Sequence, residues 1–413
     1  MAGFALTRTG VECDGFALSS LIEAEGSPLY VYSAALIKER YRAFDNAFGE
    51  YPHRLHYALK ANSTLGIIRL IRGLGGAFDA NSGAEIEVAL RANADPKDIV
   101  FTGVGKTDSE LERAVAVGIH AINAESAGEL KRLDRIATAR GVRAAVALRI
   151  NPDVDAQSHP GISTGGRAHK FGVSIEDAGA ICREVAGWRG VHLIGVHAHV
   201  GSQILTIDPV RRMASTMVSF AQELMADGIP LDHIDLGGGL GIAYDDGPTL
   251  DVADYARSLI SAVAPTGLRL LLEPGRWIVG PAGALITTVV DVKPQRAGRY
   301  FVVLDAGMTE LVRPALYDAV HRVDPIVPRQ GPDAMCDIVG PICESTDVIR
   351  LGCEMPLPEI GDLLMIHDVG AYGSAMASNY NRHPLPAEVL VDNGEACLIR
   401  RRQSVDDLLA CEL

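Results

Sequence analysis

Eight short apolar runs, rich in Val, Ile, Leu and Ala, recur between residues 53 and 275, separated by stretches of helical periodicity. The runs cover 53–60, 75–81, 98–103, 120–125, 143–151, 193–200, 233–239 and 269–275. Ser82 to Leu90 illustrates the helical stretches, and so does 109–117, with Leu111, Ala114 and Val115 on one face. Ser82 and Asp108 are the expected N-caps, with Glu85 completing a capping box. Successive strand–helix units with right-handed crossovers give a parallel sheet. Eight of them over about 250 residues predict an α/β fold with a closed (β/α)8, TIM-like barrel. An open doubly wound sheet is the alternative.

The runs end in a polar residue or in glycine: Lys60, Asp79, Glu125, Arg149, His199, the Gly237–Gly239 triplet and Glu273. A barrel places its active site at that end of its strands. After Gly275 the texture changes to short strands broken by Pro and Gly, at 284–292, 300–305, 334–339, 347–351, 362–368 and 388–392. This pattern predicts a C-terminal antiparallel β-sandwich or small β-barrel. The first 26 residues lack the strand–helix rhythm and are expected to add to it. The predicted division is a barrel over 27–275 and a β domain from 1–26 and 276–413.

Composition excludes several classes. Lys and Arg number 38 against 52 Asp and Glu, a net charge of −14. That opposes broad binding to nucleic acid or acidic membranes. No apolar stretch is long enough to span a bilayer, and MAGFALTRTG lacks the pattern of a secretory signal. Seven scattered Cys without a CxxC pair point to a reducing, cytoplasmic setting and to no metal site.

Lysines are scarce, at positions 38, 60, 97, 106, 131, 170 and 293, and Lys60 closes the first run. A partly desolvated lysine can serve as a Schiff-base amine, and an aldehyde cofactor such as pyridoxal 5′-phosphate is its natural partner. That cofactor needs a phosphate cradle, a stacking group and a partner for its ring nitrogen. Gly237–Gly239 and Ser202 offer the cradle. His197 and His199 share one strand face and are core histidines, a metal pair or a stacking platform; beside Lys60, stacking by His199 is favoured. Glu273 can face a pyridinium nitrogen or pair with Arg276. Later loops carry Arg313 and Tyr317, then Cys343 beside Glu344, then Tyr372 between glycines. Arg suits bidentate carboxylate binding.

In order, YALKAN, HVGSQ, DLGGG, EPGRW, RPALY, GPICESTD and GAYG resemble the fold type III pyridoxal-phosphate-dependent decarboxylases over about residues 28–393. The RPALY segment, the stretch 151–173 and SNYNRHPLPAEVLV are most similar to the branch acting on meso-diaminopimelate. The resemblance implies decarboxylation to L-lysine and CO2, the last step of lysine biosynthesis. It implies Lys60 as the Schiff-base lysine, with Asp79 and Glu85 beside it. His199 becomes the stacking group and Glu273 the ring-nitrogen partner. Ser202, Gly239, Gly275 and Arg276 become phosphate contacts. Arg276, Arg313 and Tyr317 clamp the distal carboxylate. Cys343 becomes the proton donor, Glu344 a contact for the distal amine and Tyr372 a contact for both ligands. Cys343 and Glu344 are expected to act from a neighbouring subunit, which implies a homodimer. Ala84 stands where that family often has Gly.

Three rivals stand beside this reading. A sibling decarboxylase for ornithine, arginine or carboxynorspermidine would want an acidic residue at the distal end. A racemase would set an Arg against the ring nitrogen. A non-catalytic relative need not keep Lys60 and Cys343.

Overall fold

A computed structural model describes residues 2–156, 159–166, 169–245 and 247–413. Gln157, Ser158, Arg167 and Ala168, within the 151–173 stretch quoted above, lie outside the described residues, as do Met1 and Asp246. By contact the chain divides into two compact units. One is Tyr41–Ile242 with Pro248–Trp277, and the other is Met1–Arg40 with Ala243–Gly247 and Ile278–Leu413.

The first unit is a closed parallel barrel. Its eight strands are His53–Ala58, Ala77–Ala80, Ile99–Phe101, Ala121–Ala124, Ala144–Asn151, Val191–His197, His233–Asp235 and Arg269–Leu272. Each pairs with the next in parallel, and the eighth returns to the first at Leu270–His53. Closure removes the open-sheet alternative. The strands are almost wholly buried, as a sheet covered on both faces requires.

The surrounding helices begin on the residue types that cap well. Ser82, Ser126, Ser174 and Asp251 each accept a backbone N–H of the first turn. Ser82 caps as expected, but the return bond of its capping box and the second expected cap each shift by one residue. Glu85 accepts the N–H of Asn81 rather than that of Ser82. Thr107, not Asp108, caps the helix Asp108–Val117 and forms a capping box with Glu110. Asp108 is drawn instead to Arg132 and Arg135.

The second unit is built on a mixed sheet. Gly283–Pro294 runs antiparallel to Leu29–Ser33, Leu363–Ile366 and Arg299–Leu304. Two pairings are parallel: Arg299–Leu304 with Asp333–Val339, and Leu29–Ser33 with Ala387–Asp392. The sheet is therefore not antiparallel throughout. Leu29, Val31, Ala284, Ile286, Met365, Val389 and Val391 share one core cluster with Val11 and Cys13. This pairing is why residues 27–40 group with the sheet rather than with the barrel, as the sequence division had them. The first residues form a small three-stranded sheet of their own, Phe4–Leu6, Val11–Cys13 and Phe16–Ala17.

Candidate active site

The barrel's first strand stops at Ala58, and a 3-10 turn, Leu59–Ala61, carries Lys60 just past the strand end. Lys60 Nζ donates to Asp79 Oδ2 at 3.0 Å and to Asn81 Oδ1 at 3.3 Å. Asn81 Nδ2 also donates to Asp79 Oδ2, at 3.0 Å. The Lys60 side chain is one-third exposed, whereas that of Asp79 is wholly buried. Burial, then the nearby Glu273 charge, raise Asp79 above the usual carboxylate range against the pull of Lys60. Burial also pushes Glu85 up to about 7.

Glu273 follows the eighth strand, and its N–H is bonded to Gly237 O at 2.8 Å. Its carboxylate Oε1 lies 3.2 Å from His197 Nε2 and accepts from Thr102 Oγ1 at 3.3 Å. Asn123 Nδ2 in turn donates to Thr102 Oγ1 at 2.9 Å. Burial would raise Glu273, but His197 and then Lys60 hold it well below the usual range. Asp235 goes the other way: burial and the Glu273 charge hold it well above that range. His197, Asp235 and Glu273 bring ligand-capable atoms within 4.8 Å of one another. The two carboxyls of this set are shifted in opposite directions, Glu273 down and Asp235 up. Arg276 Nε and Nη2 donate to Ser202 Oγ at 3.2 and 3.1 Å.

The glycine triplet is packed too tightly for any side chain. A Cβ on Gly237 would lie 2.6 Å from His199 Nδ1, one on Gly238 2.1 Å from Glu273 O, and one on Gly239 2.4 Å from Gly201 O. Gly275 is similarly confined, by Ala61 and Ala58. Gly238 N–H donates to His199 Nδ1 at 3.2 Å, and burial with the Lys60 charge lowers that imidazole to about 3. His199 is therefore a neutral, half-buried ring at neutral pH. Lys60, Asp79, His199, Ser202, Gly239, Glu273, Gly275 and Arg276 thus all lie in the barrel unit, at or just past strand ends.

The remaining predicted residues belong to the sheet unit. Residues 313–317, read from sequence as a loop, form a short helix, because Pro314 fits its first turn. Arg313 is buried and stacks 4.4 Å from the Tyr244 ring centroid. Tyr317 is half-buried. Cys343 and Glu344 are exposed, and Glu344 accepts from Tyr380 OH at 2.7 Å. Tyr372 sits at φ +60°, a conformation that costs a bulky residue energy and marks a constrained turn.

Comparison with known proteins places this geometry. Residues 34–280 match the family described as pyridoxal-dependent decarboxylase, pyridoxal binding domain. The diaminopimelate decarboxylase of Pseudomonas aeruginosa is 43% identical over 412 residues, covering 100% of this chain and 99% of that one. The chain belongs to the diaminopimelate decarboxylase family. Among solved structures, the M. jannaschii diaminopimelate decarboxylase in co-complex with L-lysine superposes with a TM-score of 0.95 at 36% identity, covering 100% and 99% of the two chains. The Helicobacter pylori diaminopimelate decarboxylase complexed with L-lysine gives 0.93 at 38% identity, covering 95% and 98%. Family membership makes this chain a pyridoxal-phosphate-dependent carboxy-lyase on a TIM-like barrel.

The residues present fit that cofactor. An accessible lysine amine, an ionised carboxylate buried in the barrel, a cradle that a Cβ would fill, and a hydroxyl–guanidinium pair answer its aldehyde, ring nitrogen and phosphate. Sequence reasoning missed Asn81, Thr102 and Asn123, which orient Lys60 and Glu273. Thr102 directly follows the strand Ile99–Phe101, so the strand-end rule could have found it. Lys170 is exposed, with Nζ 5.5 Å from the Phe171 ring.

Proposed function

We propose that this family member decarboxylates meso-diaminopimelate with the residues inferred from sequence. One observation carries the reading: a lysine amine fixed by Asp79 and Asn81, in the same barrel unit as a carboxylate, Glu273, that stays ionised despite complete burial. Bound pyridoxal phosphate supplies an aldehyde for amine capture and a ring that accepts the electron pair left when CO2 departs. Lys60 presents the anchoring amine. Glu273 holds a proton at the ring nitrogen, and the neutral His199 ring offers a flat apolar face. Ser202, Arg276 and the backbone at Gly239 and Gly275 hold phosphate.

The substrate is a dicarboxylate, so its unreacted end needs cations. Arg313 and Arg276 supply guanidinium charge there and Tyr317 a hydroxyl, whereas ornithine offers no distal carboxylate to reward that arrangement. The Cys343 thiol delivers a proton to the α-carbon that has lost CO2, and Glu344 holds the distal amine. Tyr372 touches cofactor and substrate. Cys343 and Glu344 serve a neighbouring chain in a homodimer, in keeping with their exposure on the single chain. The seven cysteines of the chain are all free, in keeping with a cytoplasmic setting.

The deciding experiment measures CO2 release from meso-diaminopimelate, ornithine and arginine on the purified, cofactor-loaded protein. Turnover of another substrate with none of diaminopimelate sinks the reading. Mixing inactive Lys60→Ala with inactive Cys343→Ala tests the shared site. Hybrid dimers should regain up to about one-quarter of wild-type activity, because at most half of all dimers are mixed and each holds one intact site. No rescue under demonstrated subunit exchange removes the shared site.

A further inference from the structure

Arg313 is positioned by groups that its own five-residue helix does not contain. Its Nη1 lies 2.7 Å from His321 Nε2, and its guanidinium carbon stacks on Tyr244. His321 is completely buried. Its Nδ1 lies 2.7 Å from the carbonyl oxygen of His367. Two acceptors do not approach that closely, so Nδ1 carries the hydrogen and donates. Nε2 must then accept, because a doubly protonated ring would set an N–H against a guanidinium N–H. The ring is therefore neutral, with one fixed tautomer. Arg350 Nη1 donates to the His321 carbonyl at 3.1 Å and anchors the backbone. Tyr244 closes the set, its ring 5.0 Å from His321 at an interplanar angle of 72°.

The imidazole acceptor and the aromatic face set the direction of the guanidinium, whose charge is also felt by the Asp368 carboxyl. We propose that His321 is the positioning residue that aims Arg313 at the carboxylate surviving in the product. This rests on the reading of Arg313 as the distal-carboxylate clamp. The inference concerns only which group sets the arginine.

The test separates the two ring nitrogens. His321→Asn keeps a donor near the Nδ1 position and so keeps the bond to His367, but has nothing to accept from Arg313. His321→Gln places an acceptor near the Nε2 position and gives up the His367 bond. The probes are L-lysine, which carries the surviving carboxylate, and cadaverine, the same carbon chain without it, as competitive inhibitors of the loaded enzyme. The readout is the ratio of their inhibition constants, with KM and kcat for meso-diaminopimelate beside it. His321→Asn should weaken L-lysine by about 10-fold or more and leave cadaverine within about 2-fold, the size of one lost charge-assisted hydrogen bond. KM should rise more than kcat falls. His321→Gln should retain the wild-type ratio within about 3-fold.

Equal weakening of both inhibitors in His321→Asn, or a larger loss in His321→Gln, overturns the inference and makes His321 a structural residue. Arg313→Met distinguishes the underlying reading. If it leaves the lysine-to-cadaverine ratio unchanged, the clamp assignment itself fails. If it collapses the ratio while His321→Asn does not, only the role of His321 fails.

Discussion

Gly238→Ala tests whether the glycine cradle is as rigid as its packing implies. The new Cβ would stand 2.1 Å from Glu273 O and 2.8 Å from Glu273 C, both main-chain atoms that no rotamer change can move. Ordinary contact starts at 3.4 Å, so the Glu273 backbone or the triplet must yield by about 1.3 Å, the gap between 2.1 and 3.4 Å. Overpacking of this kind costs about 1–3 kcal/mol of stability. The greater damage falls on function, because displacing a catalytic group by about 1 Å costs about 100-fold in rate. Gly237 O, which fixes Glu273 N–H at 2.8 Å, moves with the same segment. The assay is titration of the apo-protein with pyridoxal phosphate, followed by its visible absorbance, together with kcat at saturating cofactor. Gly128→Ala is the control: it lies in the first turn of the helix Ala127–Ala139, and its Cβ would meet only Ser126 Oγ, at 3.7 Å. It should be neutral or stabilising by up to about 1 kcal/mol. Wild-type cofactor affinity and turnover above half the wild-type rate in Gly238→Ala would falsify the rigid-cradle argument.

Two further outcomes concern stability. Glu125 and Arg149 form a buried pair at 2.6 Å, and Glu125 Oε2 also accepts the Gly172 N–H at 2.7 Å. Glu125→Ala should lower unfolding stability by about 3–5 kcal/mol and Glu125→Ala with Arg149→Met by less, as read from urea midpoints; a double variant no better than the single refutes the stranded-charge account. His233 is lowered to about 3, chiefly by burial and then by His120 and His197. The unfolded chain therefore takes up a proton below about pH 6.5 that the folded one refuses until about pH 3, and stability falls with acid across that window by at most about 1.4 kcal/mol per pH unit for this residue. His233→Gln should flatten that limb of a midpoint-against-pH curve, and an unchanged slope counts against it.

Much of this architecture was legible in the sequence because a parallel barrel writes itself as alternating periodicity with polar strand ends. Asp79, His199 and Glu273 were expected at strand ends that way, and the barrel strands end at or beside them. The rule failed where tertiary packing decided. Nothing local tells that the strand Leu29–Ser33 pairs with Gly283–Pro294, more than 250 residues away. The strand Glu395–Arg400 went unpredicted because four of its six residues are exposed and show no buried face. A signal was nevertheless present. Asn393-Gly394 is the two-residue hairpin turn, with both residues at positive φ. His321 is eight residues from Arg313 with no regular spacing between them, so their bond follows from the fold alone.

Three buried carboxyls, Asp79, Asp235 and Glu273, lie in the barrel unit of a chain that already carries −14. Burial penalises all three, and each charge raises the others, so they cannot all ionise. Glu273 alone is held below the usual range, because His197 and Lys60 favour its charged form, while Asp235 is pushed well above. The assignment makes opposite predictions for two chemically similar substitutions. Asp235→Asn replaces a neutral acid with a neutral amide and keeps the Oδ1 acceptor that takes the Gly237 N–H at 2.9 Å. It should leave cofactor affinity and kcat within about 3-fold. Glu273→Gln removes the working charge and should cost at least about 100-fold in kcat, the scale of losing one preorganised electrostatic group. Cofactor absorbance and turnover measured on both variants decide between the two carboxyls. Comparable damage from Asp235→Asn means that Asp235 is ionised in the working enzyme and that the charge is shared across the cluster rather than selected at Glu273.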